Sequence, residues 1–167
     1  CICATAADVE ALTSPSAVLV GPGMSRSSDS DTLACRIATE SARNTTVVID
    51  ADGLNALAEE PDRIEELGTN RILTPHPGEL RRLLALRETP TGAALMAHAQ
   101  ALANRSGAVV VAKGSPTFVA SPGRMHILAR PNPALATAGS GDVLAGIIAG
   151  LAGQGLPPID AARLGVW

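Results

Sequence analysis

Three unbroken apolar runs, Ala17-Val18-Leu19-Val20, Val47-Val48-Ile49 and Val109-Val110-Val111, with a weaker one at Ile72-Leu73, constrain this chain more than any other feature. A strand with one wet face alternates apolar and polar residues, so runs without alternation suit strands covered on both faces of a parallel sheet. Segments with helical spacing lie between them. Residues 31–43 place Leu33, Ile37 and Ala38 on one face, residues 54–67 place Leu54, Leu57, Ile64 and Leu67, and residues 78–86 place Leu80, Leu83 and Leu84. Strands alternating with helices read as βαβ units with right-handed crossovers, and therefore as a layered α/β fold. Residues 117–120 and 126–129, joined by Ser121-Pro122-Gly123-Arg124, read instead as a hairpin attached to the sheet.

The composition fits one domain over residues 1–167, with 46% hydrophobic and 17% charged residues, enough apolar content to bury a sizeable core. A net charge of -3 with no basic cluster argues against a nucleic-acid surface, and 1% aromatic content removes the platforms on which bases stack. No apolar run approaches the roughly 20 residues that span a bilayer, so a membrane partner is not expected. Cys1, Cys3 and Cys35 are odd in number and lack metal-type spacing. They read as reduced thiols in a cytoplasmic protein, with no export leader ahead of them and no protein-held metal site. Pro131-Asn132-Pro133 and Pro157-Pro158 read as short loops.

Each apolar run opens into a loop of distinctive chemistry. Val20 leads into Gly21-Pro22-Gly23-Met24-Ser25, Ile49 into Asp50-Ala51-Asp52-Gly53-Leu54-Asn55, Leu73 into Thr74-Pro75-His76-Pro77-Gly78-Glu79, and Val111 towards Lys113-Gly114-Ser115-Pro116-Thr117. In an open parallel sheet, ligands sit beyond the carboxyl ends of the strands, so these loops share one edge. Ala138-Gly139-Ser140-Gly141-Asp142 joins them, followed by an apolar run from Val143 to Ala152 that reads as a buried helix. Small residues ahead of a helix start make an anion site from free N–H groups and the positive dipole end. A carboxylate in that rim repels phosphate, which points to a base acting on a hydroxyl; the plainer reading is a glycine turn with Asp142 as helix cap.

In this order, the strings Gly21-Pro22-Gly23, Asp50-Ala51-Asp52-Gly53-Leu54-Asn55, Leu73-Thr74-Pro75-His76-Pro77-Gly78-Glu79-Leu80, Ala112-Lys113-Gly114 and Ala136-Thr137-Ala138-Gly139-Ser140-Gly141-Asp142 resemble the ADP- or ATP-dependent NAD(P)H-hydrate dehydratases of the ribokinase-like superfamily. The resemblance implies a three-layer α/β/α fold with a mostly parallel central sheet and a C-terminal β-hairpin. It also implies a domain truncated at its N-terminus and slightly at its C-terminus. Two residues depart from the family pattern: Ser25 stands where a further glycine is usual, and Ser140 where threonine is usual. The second change keeps a hydroxyl.

The resembled reaction spends a nucleotide phosphate on the hydroxyl of hydrated NADH or NADPH, and the phosphorylated intermediate eliminates to the reduced dinucleotide. The resemblance then implies Asp142 as the catalytic base, and Lys113, Gly114, Thr117, Gly139, Ser140 and Gly141 around the nucleotide. It implies Gly21, Gly23, Asp50, Asn55, His76 and Asp142 around the hydrated dinucleotide. ADP or ATP is the co-substrate, Mg²⁺ travels with it, and a homo-oligomer is compatible.

Plainer alternatives stand beside these roles. His76 can be a loop residue bonded to backbone, Asn55 can cap a helix or line the pocket, and Gly21 and Gly23 can be turn glycines. Glu79 reads as a dipole partner of its helix, and His98 and His126 as structural or solvated. If the strand continued past Ile49, Asp50 and Asp52 would point to opposite sides, and only one would face a ligand. Two alternatives to the dehydratase are a small-molecule kinase acting on a vitamin-precursor alcohol and a catalytically silent nucleotide-binding fragment.

Overall fold

The computed structural model describes residues 15–129 and 137–167. The expectations for Cys1, Cys3, Pro131-Asn132-Pro133 and Ala136 lie outside these residues. Six strands form one sheet in the order β1-β2-β3-β4-β5-β6, so neighbours in sequence are neighbours in space. The strands are β1 (Ala17–Val20), β2 (Thr46–Ile49), β3 (Arg71–Leu73), β4 (Val109–Ala112), β5 (Thr117–Ser121) and β6 (Arg124–Leu128). The first four are parallel, with Val20 beside Ile49 and Ile49 beside Leu73. The hairpin β5–β6 then runs antiparallel from β4 through Ser121-Pro122-Gly123-Arg124, as expected. β2, β3 and β4 are buried at every position, which explains their unalternating sequences.

One layer is formed by α1 (Ser28–Glu40), α2 (Ala51–Glu59), α3 (Pro77–Leu83) and α4 (Gly92–Ser106), whose buried residues pack with Val47, Ile49, Leu73 and Val110. The opposite layer holds α5 (Ser140–Gly153) and α6 (Pro158–Val166), with Ala145, Ile148, Ala152, Ala161 and Ala162 against Val48, Ile72 and Val111. These are the two outer layers of the expected three-layer α/β/α fold.

Two expectations are corrected here. The single helix over residues 54–67 is split: α2 ends at Glu59, and a 3₁₀ turn, Pro61–Glu66, follows. A residue before proline is pushed out of the helical region, and Glu60 has φ -123 and ψ 67. The 3₁₀ turn keeps Ile64 buried, so the apolar spacing runs through the break. The helix after Asp142 is apolar throughout yet buried on one side alone, because Val143 (62% exposed) and Ile147 (48%) face outward.

Buried Arg71 ties the sheet to the end of α1. Its guanidinium donates to the carbonyls of Ala38, Ser41 and Thr45, the first two at or near the helix C-terminus, where a cation is favoured. Cys35 is a free, buried thiol whose pKa burial pushes up to about 11, a packing residue and not a nucleophile.

Candidate active site

The loops that follow β1, β2, β3 and β4 converge through backbone contacts before any side chain is considered. The Asp50 N–H donates to the Val20 carbonyl (3.1 Å), the Thr74 N–H to Ile49 (3.1 Å), and the Lys113 N–H to Pro75 (2.8 Å). Gly21 has φ 120, and a Cβ there would lie 1.8 Å from the Asp50 carbonyl oxygen. Its close approach is therefore to the start of α2, and glycine is required for it. Gly23, at φ 71, faces open space.

At the centre, Lys113 Nζ lies 2.7 Å from Asp50 Oδ1 and 3.8 Å from Glu79 Oε2, with both carboxylates almost wholly buried. Lys113 is the only lysine of the sequence, all other cationic side chains among its 13 basic residues being arginine. That signal was present in the composition. Asp50, expected around the dinucleotide, is 1% exposed and its carboxylate faces Lys113. The condition set for Asp50 and Asp52 is not met, since the strand stops at Ile49 and Asp52 sits in the first turn of α2.

His76 caps α3. Its Nδ1 accepts from the N–H groups of Gly78 (3.0 Å) and Glu79 (3.3 Å), while the Glu79 carboxylate accepts from the His76 N–H (2.7 Å). This reciprocal box is the backbone-bonded reading of His76, made with a histidine in place of the usual hydroxyl. An accepting Nδ1 requires the neutral ring with its proton on Nε2, which lies 3.4 Å from Glu79 Oε1. Burial, then the Lys113 and Arg82 cations, hold the His76 pKa below its ordinary value. Burial raises that of Glu79, opposed by the His76 N–H and Lys113. The ring stays half exposed, with room to meet a ligand. Asn55 neither caps nor stands alone, because its Oδ1 accepts from Arg82 Nε at 2.9 Å.

The Gly139 turn enters from the opposite layer. Gly139 is the residue that caps α5, at φ 85, and it supplies no side-chain acceptor to the first-turn N–H groups. Asp142 is therefore not the cap. It is exposed, in the first turn, among those N–H groups. A Cβ on Gly141 would lie 3.3 Å from Lys113 Nζ and 3.9 Å from Asp50 Oδ2, so the turn closes directly over the ion pair. Thr117 Oγ donates to the Gly114 carbonyl (3.0 Å), fixing the loop between them. A separate groove of about 770 Å³, lined by Met125, Ile127, Leu156, Leu164 and Trp167 among others, holds none of these residues.

A helix start, a carboxylate in its first turn and a partly buried ammonium beneath it lie together, and the sequence profile of the NAD(P)H-hydrate dehydratases matches residues 3–167. The chain belongs to the NAD(P)H-hydrate dehydratase family. It is 44% identical over 158 residues to the bifunctional NAD(P)H-hydrate repair enzyme Nnr of Salinibacter ruber, covering 92% of this chain and 28% of that protein. It is 44% identical over 124 residues to the ADP-dependent (S)-NAD(P)H-hydrate dehydratase of Neisseria meningitidis, covering 72% and 42%. Among solved structures, it resembles the ADP/ATP-dependent NAD(P)H-hydrate dehydratase of Bacillus subtilis co-crystallised with ATP and Mg²⁺, with a TM-score of 0.74 and 27% identity over 90% of this chain and 53% of that one. A ribokinase-like superfamily protein of Enterococcus faecalis superposes with a TM-score of 0.79 at 25% identity, covering 94% and 54%. The chain thus spans under a third of the Salinibacter relative's length and about half of these two structures.

Proposed function

We propose that this member of the NAD(P)H-hydrate dehydratase family carries the centre that returns hydrated NADH or NADPH to the reduced dinucleotide at the expense of ADP or ATP. The observation that carries the reading is the closure of the Gly139–Asp142 turn over Lys113, which sets a base, a row of N–H donors and a cation around one point. Hydroxide is a poor leaving group and phosphate a good one. Asp142 takes the proton of the ring hydroxyl as its oxygen attacks the terminal phosphorus, and the nucleotide leaves with the old P–O electrons. The N–H groups from Ala138 to Gly141 and Lys113 stabilise charge on the group in transit. Loss of phosphate and a ring proton then restores the double bond.

Lys113, Gly114, Thr117, Gly139, Ser140 and Gly141 border the nucleotide in this reading. Gly21, Gly23, Asn55, His76 and Asp142 border the dinucleotide. Asp50 and Glu79 are committed to Lys113 and His76, and no cluster of three ligating side chains exists among the described residues. Mg²⁺ is assigned to the nucleotide phosphates alone, and no step is routed through it. A cytoplasmic setting fits a reaction that draws on nucleotide and reduced-dinucleotide pools.

The test is regeneration of NADH absorbance from its hydrate by the full-length protein with ADP or ATP. Asp142→Asn keeps the shape and removes the base, and is expected to cost on the order of 10²–10⁴-fold in turnover while calorimetric nucleotide affinity is kept. Turnover near wild type would sink the assignment of Asp142. Nucleotide consumption with a vitamin-precursor alcohol and none with the hydrate would favour the kinase reading.

A further inference from the structure

Asp50 has surrendered the role its position offers. It is the N-cap residue of α2, where an aspartate ordinarily accepts a first-turn N–H, yet its side chain makes no capping bond. Its neighbour Ala51 is held at φ 46, a region that favours glycine, and Gly21 is pressed against the Asp50 carbonyl. The local backbone is thus distorted and its cap unmade, while Oδ1 lies 2.7 Å from Lys113 Nζ, 63 residues away in sequence. Glu79, 3.8 Å from the same nitrogen, stands as a second anchor on the side of α3.

We propose, resting on the reading of function given above, that Asp50 is a positioning residue. It touches neither nucleotide nor dinucleotide, and it holds the Lys113 ammonium under Gly141, at the base of the turn that carries Asp142. Without the Asp50 charge the ammonium swings toward Glu79. The cation then stays in the pocket and still attracts a nucleotide, but it no longer lies beneath the phosphoryl group in transit. Positioning of this kind moves kcat and leaves KM, whereas a residue that binds ligand or merely supports the fold moves both or neither.

The experiment is a double-mutant cycle on the full-length protein, with Asp50→Asn, Lys113→Ala and the pair, read as kcat and nucleotide KM for NADH regeneration. Asp50→Asn is expected to lower kcat on the order of 10²-fold with KM held within about threefold. In the Lys113→Ala background it should change kcat by less than about twofold, because its only route is gone. Equal losses in both backgrounds overturn the proposal. A wild-type protein without dehydratase activity would count against the proposed function, and Asp50 is then judged by a readout that needs no turnover. An amine-acylating reagent should modify Lys113 at least about threefold faster in Asp50→Asn than in wild type, since Nζ is no longer held 2.7 Å from the Asp50 carboxylate. An unchanged rate refutes the pairing. Should Asp50→Asn fail to fold, Asp50→Glu keeps the charge and displaces it by one methylene; wild-type kcat in that variant also refutes the proposal.

Discussion

Ser25 shows what a single backbone angle can cost. It sits at φ 59, in the left-handed region that favours glycine. An L-residue there is disfavoured by roughly 1–2 kcal/mol, while glycine loses about 0.5–1 kcal/mol through the freedom of its unfolded chain. Ser25→Gly should therefore stabilise the protein by up to about 1 kcal/mol, seen as a rise in Tm of roughly 2–4 °C. The Ser30 hydroxyl bonds the Ser25 carbonyl and not its side chain, so that contact survives. Gly21 is the opposite case. A methyl group added there would meet the Asp50 carbonyl oxygen at 1.8 Å, with no flexible side chain to yield. Gly21→Ala should lose several kcal/mol or fail to fold, and a melt indistinguishable from wild type would show that the β1 loop can move away from α2.

At the scale of elements, α3 carries a pH dependence that can be worked out from its cap. The His76 pKa is depressed in the folded protein, so the neutral ring contributes stability that is complete above its ordinary value of 6.5 and is lost as pH falls below it. Glu79 has the opposite sign. Its raised pKa favours the protonated carboxyl, a contribution present below its ordinary 4.5 and lost as pH climbs above it. His76→Asn supplies a cap acceptor that does not titrate, so the difference in Tm between wild type and this variant isolates the histidine. That difference should shift against wild type between about pH 7 and 5; a difference constant across that range would mean the ring nitrogen is not the acceptor that matters.

Elements whose cause is local were legible in the sequence, and those whose cause is remote were not. β2, β3, β4 and the hairpin could be read because burial on both faces, or a turn such as Ser121-Pro122-Gly123-Arg124, leaves its mark within a few residues. The convergence of four loops followed from strand direction alone. The helix break at Pro61 was readable in principle, but Leu54, Leu57, Ile64 and Leu67 keep one spacing across it and mask it. α4 was legible only as a helix pattern around His98, without bounds, because the buried alanines Ala99 and Ala103 blur the apolar stripe of Leu95 and Leu102. The service of Asp50 to Lys113 was beyond reach, since it depends on a partner 63 residues on and on a capping bond that is not made.

For the whole molecule, the apolar surface is unevenly shared. The exposed large hydrophobics Ile127, Val143, Ile147, Leu164 and Trp167 all fall on α5, on β6 or on α6 and the residue after it, and none on the layer built from α1 to α4. Contiguous exposed apolar surface favours association. The 167 residues expressed alone should therefore elute in size-exclusion chromatography as associated species. Replacing Val143 and Ile147 together with glutamine should shift them toward monomer, and a monomeric wild-type peak would show that this surface is tolerated in water.

The strand order has a consequence for synthesis. Among the six described strands each of β2 to β6 lies beside the one made just before it, so none of these has to be inserted between two older ones as the chain leaves the ribosome. α5 breaks that progression. Made after β6, it returns across the molecule to pack on β1 and β2. The turn carrying Asp142 therefore docks late, onto an ion pair whose two halves are already in place. A nascent chain that still lacks this segment holds Lys113 and Asp50 but not the turn that closes over them, so on the proposed reading it has the cation without the base.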